Sequence, residues 1–313
     1  MKAQMRCLGV QAIFSCLSPE SAEMVYSGEF MSDIKVFSCL PGYFSKRLRA
    51  LPFRPFKERE YDVIYRGREL PWSTGKFAQA KKKIGQNFIS WSKDSDLRSD
   101  VQTKESERIY GDDWDTFLMS GKTMLGVEGG ASIFDFDGTL AEDLTVYESE
   151  NPNADLSQYW EAKLKLFEEK ISHKTITPKI FEAIATRTVL VLNPGEYTGV
   201  LKPDRHYIPL LEDGSNFKEV VKKIKDDQFL TELAETTYEE IAKRDDLTYK
   251  FFVDKLDRIL HGLEKNPSQS NAETFFRKKV TIQNIETEEL INRTLDLNQT
   301  VSSLEHELQS ASQ

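Results

Sequence analysis

Residues 177–193 read TPKIFEAIATRTVLVLN. Thr177 followed by Pro178 is typical of a helix start, because threonine can cap free N–H groups and proline fits the first helical position. The helix runs into VLVLN at 189–193, and this continuous apolar run indicates a strand that is buried on both faces. A helix that feeds such a strand predicts an α/β fold built on a parallel sheet.

The alternation of strands and helices extends outward from this stretch in both directions. It predicts a Rossmann-like parallel sheet with helices on both faces. The predicted strands are 8–18, ending in a turn at Pro19, 34–40, 61–67, 86–92, 122–127 and 189–193. The predicted helices are 76–86, 110–120, 178–187, 215–226 and 228–243, with a polar helical insertion at about 141–174.

Changes in composition predict three parts of the chain. Two prolines and a charge run at 51–60 indicate a linker, so residues 1–55 are interpreted as a remnant of an N-terminal, acceptor-side domain. Residues 56–263 form the predicted main domain. Residues 264–313 combine a linker with a helix whose apolar residues follow a 4-3-4 spacing, which predicts either a short coiled coil for self-association or a helix packed on its own domain. The positions are Leu290, Thr294, Leu297, Val301, Leu304 and Leu308, and Thr294 is the one that is not apolar.

Charge and cysteine content narrow the class of protein. The chain has 313 residues and a net charge of −9, which argues against nucleic acid as a partner. Its three cysteines, Cys7, Cys16 and Cys39, form no zinc or disulfide pattern and fit a reducing, cytoplasmic compartment. No apolar run approaches the roughly 20 residues that span a bilayer.

Two glutamates lie where a parallel sheet binds its ligands. Glu128 follows the strand 122–127 in the string VEGGAS, and Glu182 lies in the first turns of the helix that begins at Pro178. Ligands bind beyond the carboxyl ends of parallel strands, where helix N-termini and glycine turns such as Gly129-Gly130 offer free N–H groups. The alternative interpretation is that Glu182 is an ordinary surface residue.

The ordered strings YDVIYRGR at 61–68, VEGGAS, KIFEAIA, NPGEYTG, DRHYIPL, NFKEVVKKIKDD and TTYEEI carry a family resemblance. Together they resemble the donor-binding, C-terminal half of a retaining-type GT-B glycosyltransferase, and in particular the bacterial glycosyltransferases with a CgeB-like C-terminal segment. The resemblance covers about residues 61–260. The long insertion between Glu128 and Glu182 departs from the spacing that is common in this family.

The resemblance implies a role for each candidate residue. Arg66 and Arg68 would lie near the pyrophosphate, Glu182 would hold the ribose hydroxyls, and Glu128 would be the catalytic-site residue that faces the donor sugar. Glu196 and Tyr197 would line the sugar pocket. The implied partners are a nucleotide-diphosphate sugar and an acceptor that is a glycan, a lipid or a protein. The resemblance implies no metal and no other cofactor.

The string IFDFDGTL at 133–140 allows other functions. It matches the first motif of haloacid-dehalogenase-type phosphatases, in which Asp135 would be the nucleophile and Asp137 the general acid/base beside Mg²⁺. Asp135 and Asp137 also fit the metal-binding D-x-D of GT-A glycosyltransferases. The remaining interpretation is that both carboxylates cap a turn through backbone N–H groups.

A non-catalytic protein is the last alternative. Complete GT-B enzymes have a full acceptor domain, and residues 1–55 are too few to form one. A donor half alone would bind the nucleotide and transfer nothing.

Overall fold

A computed structural model describes residue 5 and residues 8–26, 34–171 and 173–263. The heptad pattern predicted at 290–308 lies outside the described residues. The chain divides into two compact units, one made of Met1–Ile13, Gly28–Lys35 and His261–Gln313, the other of Phe14–Ser27 and Val36–Leu260. The parallel sheet and both cavities below belong to the second unit.

The strands and helices have the following bounds. The strands are β1 (Ala12–Ser15), β2 (Lys35–Ser38), β3 (Tyr61–Arg66), β4 (Ser99–Gln102), β5 (Gly121–Gly126), β6 (Gly129–Ala131), β7 (His173–Thr175), β8 (Val189–Leu192) and β9 (Ile208–Pro209). The α-helices are α1 (Pro19–Val25), α2 (Lys46–Arg49), α3 (Ala80–Trp91), α4 (Asp112–Ser120), α5 (Thr139–Glu150), α6 (Leu156–Tyr159), α7 (Pro178–Ala185), α8 (Phe217–Lys225), α9 (Asp227–Thr237) and α10 (Tyr249–His261).

Single turns of tighter or wider helix complete the secondary structure. The 3₁₀ turns are Phe56–Glu58, Trp72–Thr74, Phe77–Gln79, Glu105–Glu107, Lys165–Phe167, Tyr197–Gly199 and Asp245–Leu247, and the π turns are Trp160–Leu164 and Tyr238–Ala242. No helix among residues 5, 8–26, 34–171 and 173–263 is both long enough and apolar enough to cross a bilayer.

The central sheet has five parallel strands in the order β4-β3-β5-β8-β9. Alternate residues of β8 point to opposite faces, so Leu190 and Leu192 pack with α4 and α7, whereas Val189 and Val191 pack with α3, α8 and α9. All four side chains are buried, and burial of each contributes about 1.5–3 kcal/mol. The predicted Rossmann-like sheet with helices on both faces is confirmed.

The strand predicted at 86–92 is wrong, because these residues form the second half of α3. Ile84, Phe88 and Trp91 recur at helical spacing and turn one apolar stripe toward the sheet. The strand that follows β3 is instead β4, which was not predicted because its sequence, SDVQ, buries only Val101.

The N-terminal prediction also needs a correction. The strand predicted at 8–18 is shorter, and Pro19 begins helix α1 rather than a turn. The hydroxyl oxygen of Ser18 accepts a hydrogen bond of 3.2 Å from the N–H of Ser21 and thereby caps the helix. In contrast, α7 begins at Pro178 as predicted, although the Thr177 side chain makes no capping hydrogen bond.

Candidate functional site

The connections that follow β3 and β5 leave the sheet on opposite faces. The chain passes from β3 into α3 on one face, and after β5 it reaches α7 on the other. Because β3 and β5 are hydrogen-bonded neighbours, their carboxyl ends border the topological switch point of the sheet. In open parallel sheets this crevice is where ligands bind.

A cavity of about 550 Å³ lies at this crevice. It is walled by the end of β3 and the turn after it, the loop before α4 and the first turn of α4, the start of α7, two residues of α2 and one residue of α3. The lining residues are Arg47, Leu48, Arg66, Gly67, Arg68, Lys81, Arg108, Ile109, Tyr110, Gly111, Trp114, Asp115, Thr177, Pro178, Lys179 and Glu182. We call it the switch-point cavity.

The switch-point cavity is basic although the chain is acidic overall. Six of its lining residues are cationic and two are anionic. Arg47, Arg66 and Arg108 form ion pairs with Asp115, Asp100 and Glu105 respectively. Arg68, Lys81 and Lys179 form no ion pair within the described ranges, although the charge of Glu182 acts on Lys179. These unneutralised cations make the cavity attractive to an anion.

Lys179 is the least expected of these cations. It lies in the first turn of α7, where the helix dipole favours anions over cations. Burial, and then the charge of Lys81, lower its pKa to about 8. Its ammonium group donates a hydrogen bond to the carbonyl of Arg66 and lies 5.2 Å from the centre of the Tyr65 ring. A bound anion would stabilise a cation in this position. The sequence signal for this cation site was a lysine in the first turn of a predicted helix.

Glu182 faces the same cavity from the second turn of α7. Its Oε2 accepts a hydrogen bond of 2.8 Å from the indole Nε1–H of Trp114. Burial raises the pKa of Glu182; the bond from Trp114 opposes this rise, and the charge of Asp115 adds to it. The carboxylate is thus held in one orientation, with acceptor capacity left for hydroxyl donors. Trp114 was not predicted as a site residue.

The two predicted arginines differ in their freedom to bind a ligand. Arg66 donates two hydrogen bonds of 2.7 Å to the carboxylate of Asp100, and its guanidinium carbon lies 4.3 Å from the centre of the Phe117 ring. Arg68 is exposed and makes no hydrogen bond or ion pair with any residue that the structure describes. Arg68 therefore has the free guanidinium, whereas Arg66 borders the cavity and is held by its partners.

Glu128 lies outside the lining of the switch-point cavity. It is 8% exposed, and its Oε1 accepts a hydrogen bond of 2.7 Å from the backbone N–H of Tyr197. Gly195 packs directly on its carboxylate, since a Cβ added there would lie 2.5 Å from Oε2. The hydrogen bond of Glu128 thus links the segment that follows β5 to the loop that follows β8.

The two glycines after Glu128 form a strand rather than the predicted turn. Gly129 and Gly130 belong to β6, which pairs with β7 in an antiparallel hairpin. A side chain at Gly130 would meet the carbonyl oxygen of His173 at 1.7 Å, so only glycine permits this close approach.

Glu196 and Tyr197 lie in the loop after β8 and have different surroundings. Tyr197 is fully buried, and its hydroxyl donates a hydrogen bond of 2.6 Å to the carbonyl of Asn193, whereas Glu196 is exposed. Tyr197 and Thr198 have φ values of 47° and 55°, a conformation that is costly for non-glycine residues. The structure thus brings Arg66, Arg68 and Glu182 around one cavity, and its lining does not include Glu128, Gly129, Gly130, Glu196 or Tyr197.

Asp135 and Asp137 cap the turn before α5, as the third interpretation of IFDFDGTL predicted. Asp135 accepts hydrogen bonds from the N–H groups of Gly138 and Ala141 at 3.0 and 2.8 Å, and Asp137 accepts from the N–H and hydroxyl of Thr139. In the described part of the chain, no group of three or more His, Cys, Asp and Glu side chains is arranged to hold a metal ion.

The fold and the switch-point cavity define an α/β protein of Rossmann-like architecture with a basic crevice at the carboxyl edge of its sheet. No family model matches the sequence, and no curated protein matches it. One similar solved structure is an alpha-glucosyltransferase in complex with UDP and a 13-mer DNA containing a central A:G mismatch. It has 14% identity and a TM-score of 0.38, over 80% of this chain and 63% of that one.

A second similar structure is the pneumococcal O-GlcNAc transferase GtfA in complex with UDP and GlcNAc. It has 11% identity and a TM-score of 0.36, over 81% of this chain and 45% of that one. Both structures are glycosyltransferases, and the chain spans less than two thirds of the length of either.

Proposed function

We propose that this chain binds a nucleotide-diphosphate sugar in the switch-point cavity and acts as the donor-binding part of a glycosyltransferase. The observation that carries the proposal is the joint placement of Arg68, Lys179 and Glu182 around one crevice. Cations suit a diphosphate, and a half-buried carboxylate suits vicinal hydroxyls, so the three side chains match the two polar parts of a nucleoside diphosphate.

The cations would serve the reaction as well as binding. Cleavage of the bond between the sugar and the diphosphate leaves negative charge on the departing phosphate oxygens. Preorganised cations in a partly water-excluded cavity stabilise this developing charge without reorganisation. Arg68, Lys81 and Lys179 form no ion pair with a carboxylate among the described residues, although the charge of Glu182 acts on Lys179, so their charge is available for this purpose.

Glu182 would accept hydrogen bonds from the ribose hydroxyls. The bond from Trp114 fixes the orientation of its carboxylate before the ligand arrives, which reduces the entropy lost on binding. Tyr110 is 65% exposed at the cavity rim, with the guanidinium of Arg108 at 4.9 Å from its ring centre. This exposed aromatic face would stack on the base.

Glu128 would act as a positioning residue in this proposal. It holds the loop 193–199 through the N–H of Tyr197, and this loop follows the carboxyl end of β8 at the same edge of the sheet. Glu196 would then face the donor sugar. The acceptor would be a glycan, a lipid or a protein.

Calorimetric titration with UDP, GDP and ADP tests the proposal. We expect at least one of them to bind, and Arg68→Gln to weaken that binding by about tenfold, since one charge-assisted contact is worth about 1.5–3 kcal/mol. Arg54→Gln is the matched control, because Arg54 is an exposed arginine outside the cavity. The proposal fails when no nucleoside diphosphate binds at millimolar concentration. When a nucleoside diphosphate binds, hydrolysis of the corresponding nucleotide sugar is measured next. Hydrolysis would indicate an active transferase, and its absence would indicate a chain that binds the nucleotide without catalysis.

A further inference from the structure

A second and larger cavity lies at the same edge of the sheet, on the face covered by α3. Its volume is about 1000 Å³, and it shares no lining residue with the switch-point cavity. Part of its wall is Trp160, Lys165, Glu168 and Glu169, which belong to the insertion that departs from the family's common spacing. We call it the insertion cavity.

The two cavities are neighbours in the fold. Helix α3 contributes Lys81 to the switch-point cavity and Lys83 to the insertion cavity. Strand β7 contributes Lys174 to the insertion cavity, and Thr177, three residues later and directly before α7, lines the switch-point cavity. A ligand in the insertion cavity would therefore lie near one in the switch-point cavity.

Three aromatic rings line the insertion cavity, and two of them are held firmly. The indole N–H of Trp160 donates a hydrogen bond of 2.6 Å to Glu168, whose carboxylate also accepts the N–H of Lys76. Trp91 packs against Phe217 with ring centres 5.8 Å apart. The third ring is Phe77. The Nζ of Lys76 lies 5.1 Å from the centre of the Trp160 ring, and the Nζ of Lys174 lies 5.3 Å from that of Phe77, so a ligand would pack on these rings beside the two lysines. Rigid rings supply contact area at a low cost in conformational entropy.

The polar side chains of this cavity are numerous and balanced in sign. Four lysines face three glutamates, so the cavity lacks the cationic excess of its neighbour. The side-chain amides of Gln86 and Asn87 make no hydrogen bond with the residues described by the structure. Each amide offers donors and an acceptor. The amide nitrogen of Asn193 donates a hydrogen bond of 2.6 Å to the carbonyl of Leu210, which fixes the orientation of that side chain.

We infer that the insertion cavity binds a neutral saccharide, and that this saccharide is the acceptor of the transfer reaction. A sugar has hydroxyls that pair with amides and carboxylates, and apolar C–H faces that pack on aromatic rings. A ligand with charge of a single sign would meet no comparable excess of opposite charge here. The acceptor role rests on the proposed function, because it requires a donor in the switch-point cavity.

The experiment uses the full chain saturated with the nucleoside diphosphate that binds best. Tryptophan fluorescence is followed during titration with glucose, galactose, mannose, N-acetylglucosamine and their common disaccharides. We expect at least one of these sugars to change the emission in a saturable way. The double variant Gln86→Ala/Asn87→Ala should weaken that sugar by about tenfold, since each neutral hydrogen bond contributes about 0.5–1.5 kcal/mol. Affinity for the nucleotide should stay unchanged.

Gln228→Ala is the control, because Gln228 is an exposed amide on α9 that bonds to Glu232 and lines neither cavity. Trp160→Phe is a second probe that keeps an aromatic ring and loses the bond to Glu168. The inference is overturned when the nucleotide binds and no sugar does, or when neither variant weakens the sugar. A sugar that binds to a chain with no affinity for nucleotides would overturn the acceptor role and, separately, the proposed function.

Discussion

The indole Nε1–H of Trp114 donates a hydrogen bond of 2.8 Å to Oε2 of Glu182. Trp114 lies in α4, which leads along the chain into β5. Glu182 lies in α7, which leads into β8. The bond therefore joins two successive crossover helices on one face of the sheet, directly at the wall of the switch-point cavity. It stabilises a carboxylate that burial would otherwise favour in the protonated form.

Replacing Glu182 with glutamine should weaken nucleotide binding and stabilise the free protein. Loss of the charged acceptor costs about 1.5–3 kcal/mol of binding, which is an affinity lower by about 10- to 150-fold. The folded-state pKa of Glu182 is raised above its ordinary value of 4.5, so its favourable contribution is present below pH 4.5 and is lost as the pH rises through the folded-state pKa. Glu182→Gln should therefore have the higher Tm at pH 7, with no advantage at pH 4.

Thermal denaturation at both pH values and calorimetry measure the two effects. Glu142→Gln is the control, because Glu142 is an exposed glutamate on α5 that lines neither cavity. Equal nucleotide affinity of Glu182→Gln and the wild type would contradict the ribose-binding role.

Affinity for a nucleoside diphosphate should fall as the pH rises above 8. The pKa of Lys179 is lowered from 10.5 to about 8, so this cation loses its proton in a range where the phosphates are already ionised. Lys179→Met should bind about tenfold more weakly at pH 7 and lose this part of the pH dependence. Calorimetry between pH 7 and pH 9.5 measures both effects.

The stability of the free protein gives an independent measurement of Lys179. A depressed lysine pKa contributes stability that is present above 10.5 and is lost as the pH falls through about 8. Lys179→Met should therefore raise the Tm at pH 7. Lys222→Met, at an exposed lysine of α8, should change neither affinity nor its pH profile. The same pH profile in Lys179→Met and the wild type would show that Lys179 does not titrate in the site.

A methyl group at Gly195 should separate Glu128 from the loop it holds. The added Cβ would lie 2.5 Å from Oε2 and 2.8 Å from Cδ of Glu128, so the carboxylate must leave the N–H of Tyr197. We expect Gly195→Ala to lower stability by about 1–3 kcal/mol and to reduce nucleotide-sugar cleavage more than nucleotide affinity.

Gly199→Ala is the matched control for this experiment. Gly199 has a φ of 70° with nothing within 4 Å of an added Cβ, so alanine there costs only backbone strain of about 1 kcal/mol. Cleavage rates and denaturation curves of both variants give the comparison. Equal rates in the two alanine variants would argue against a positioning role for Glu128.

Asp135→Asn should act on the turn before α5 and not on catalysis. The variant weakens two hydrogen bonds to backbone N–H groups, which costs about 1 kcal/mol, as for other capping residues. Nucleotide affinity should stay unchanged, and neither protein should release phosphate from p-nitrophenyl phosphate in the presence of Mg²⁺. Phosphatase activity in the wild type that Asp135→Asn abolishes would instead establish the haloacid-dehalogenase interpretation.

Arg59→Met should lower the free energy of unfolding by about 3 kcal/mol or more. Arg59 is 1% exposed and donates hydrogen bonds of 2.7–3.0 Å to three backbone carbonyls and one hydroxyl, none of which is charged. Methionine keeps the volume but leaves these buried acceptors without partners, each at a cost of about 1–3 kcal/mol. Chemical denaturation measures the loss, and Arg54→Met is the exposed control. A loss below 1 kcal/mol would contradict this account.

Part of the candidate site could be predicted from local sequence alone. Arg68 follows a strand that ends in glycine, and Glu182 lies in the first turns of a helix with a recognisable start. Both positions are set by local structure and by the rule that parallel sheets bind ligands at their carboxyl edge. Trp114 lies in α4 and Lys81 in α3. Whether these two side chains line the cavity depends on which face of the sheet each helix covers, and local sequence does not give this.

By itself, the sequence determined the alternation of buried strands and amphipathic helices, because a continuous apolar run such as 189–192 is satisfied only inside a sheet covered on both faces. Only the tertiary structure decided which charged groups remain without partners. Arg66 is neutralised by Asp100 from a strand 34 residues away, whereas Arg68, two residues further along, is not. Ion pairing depends on distance in space, and strand order brings together groups that are far apart in the chain.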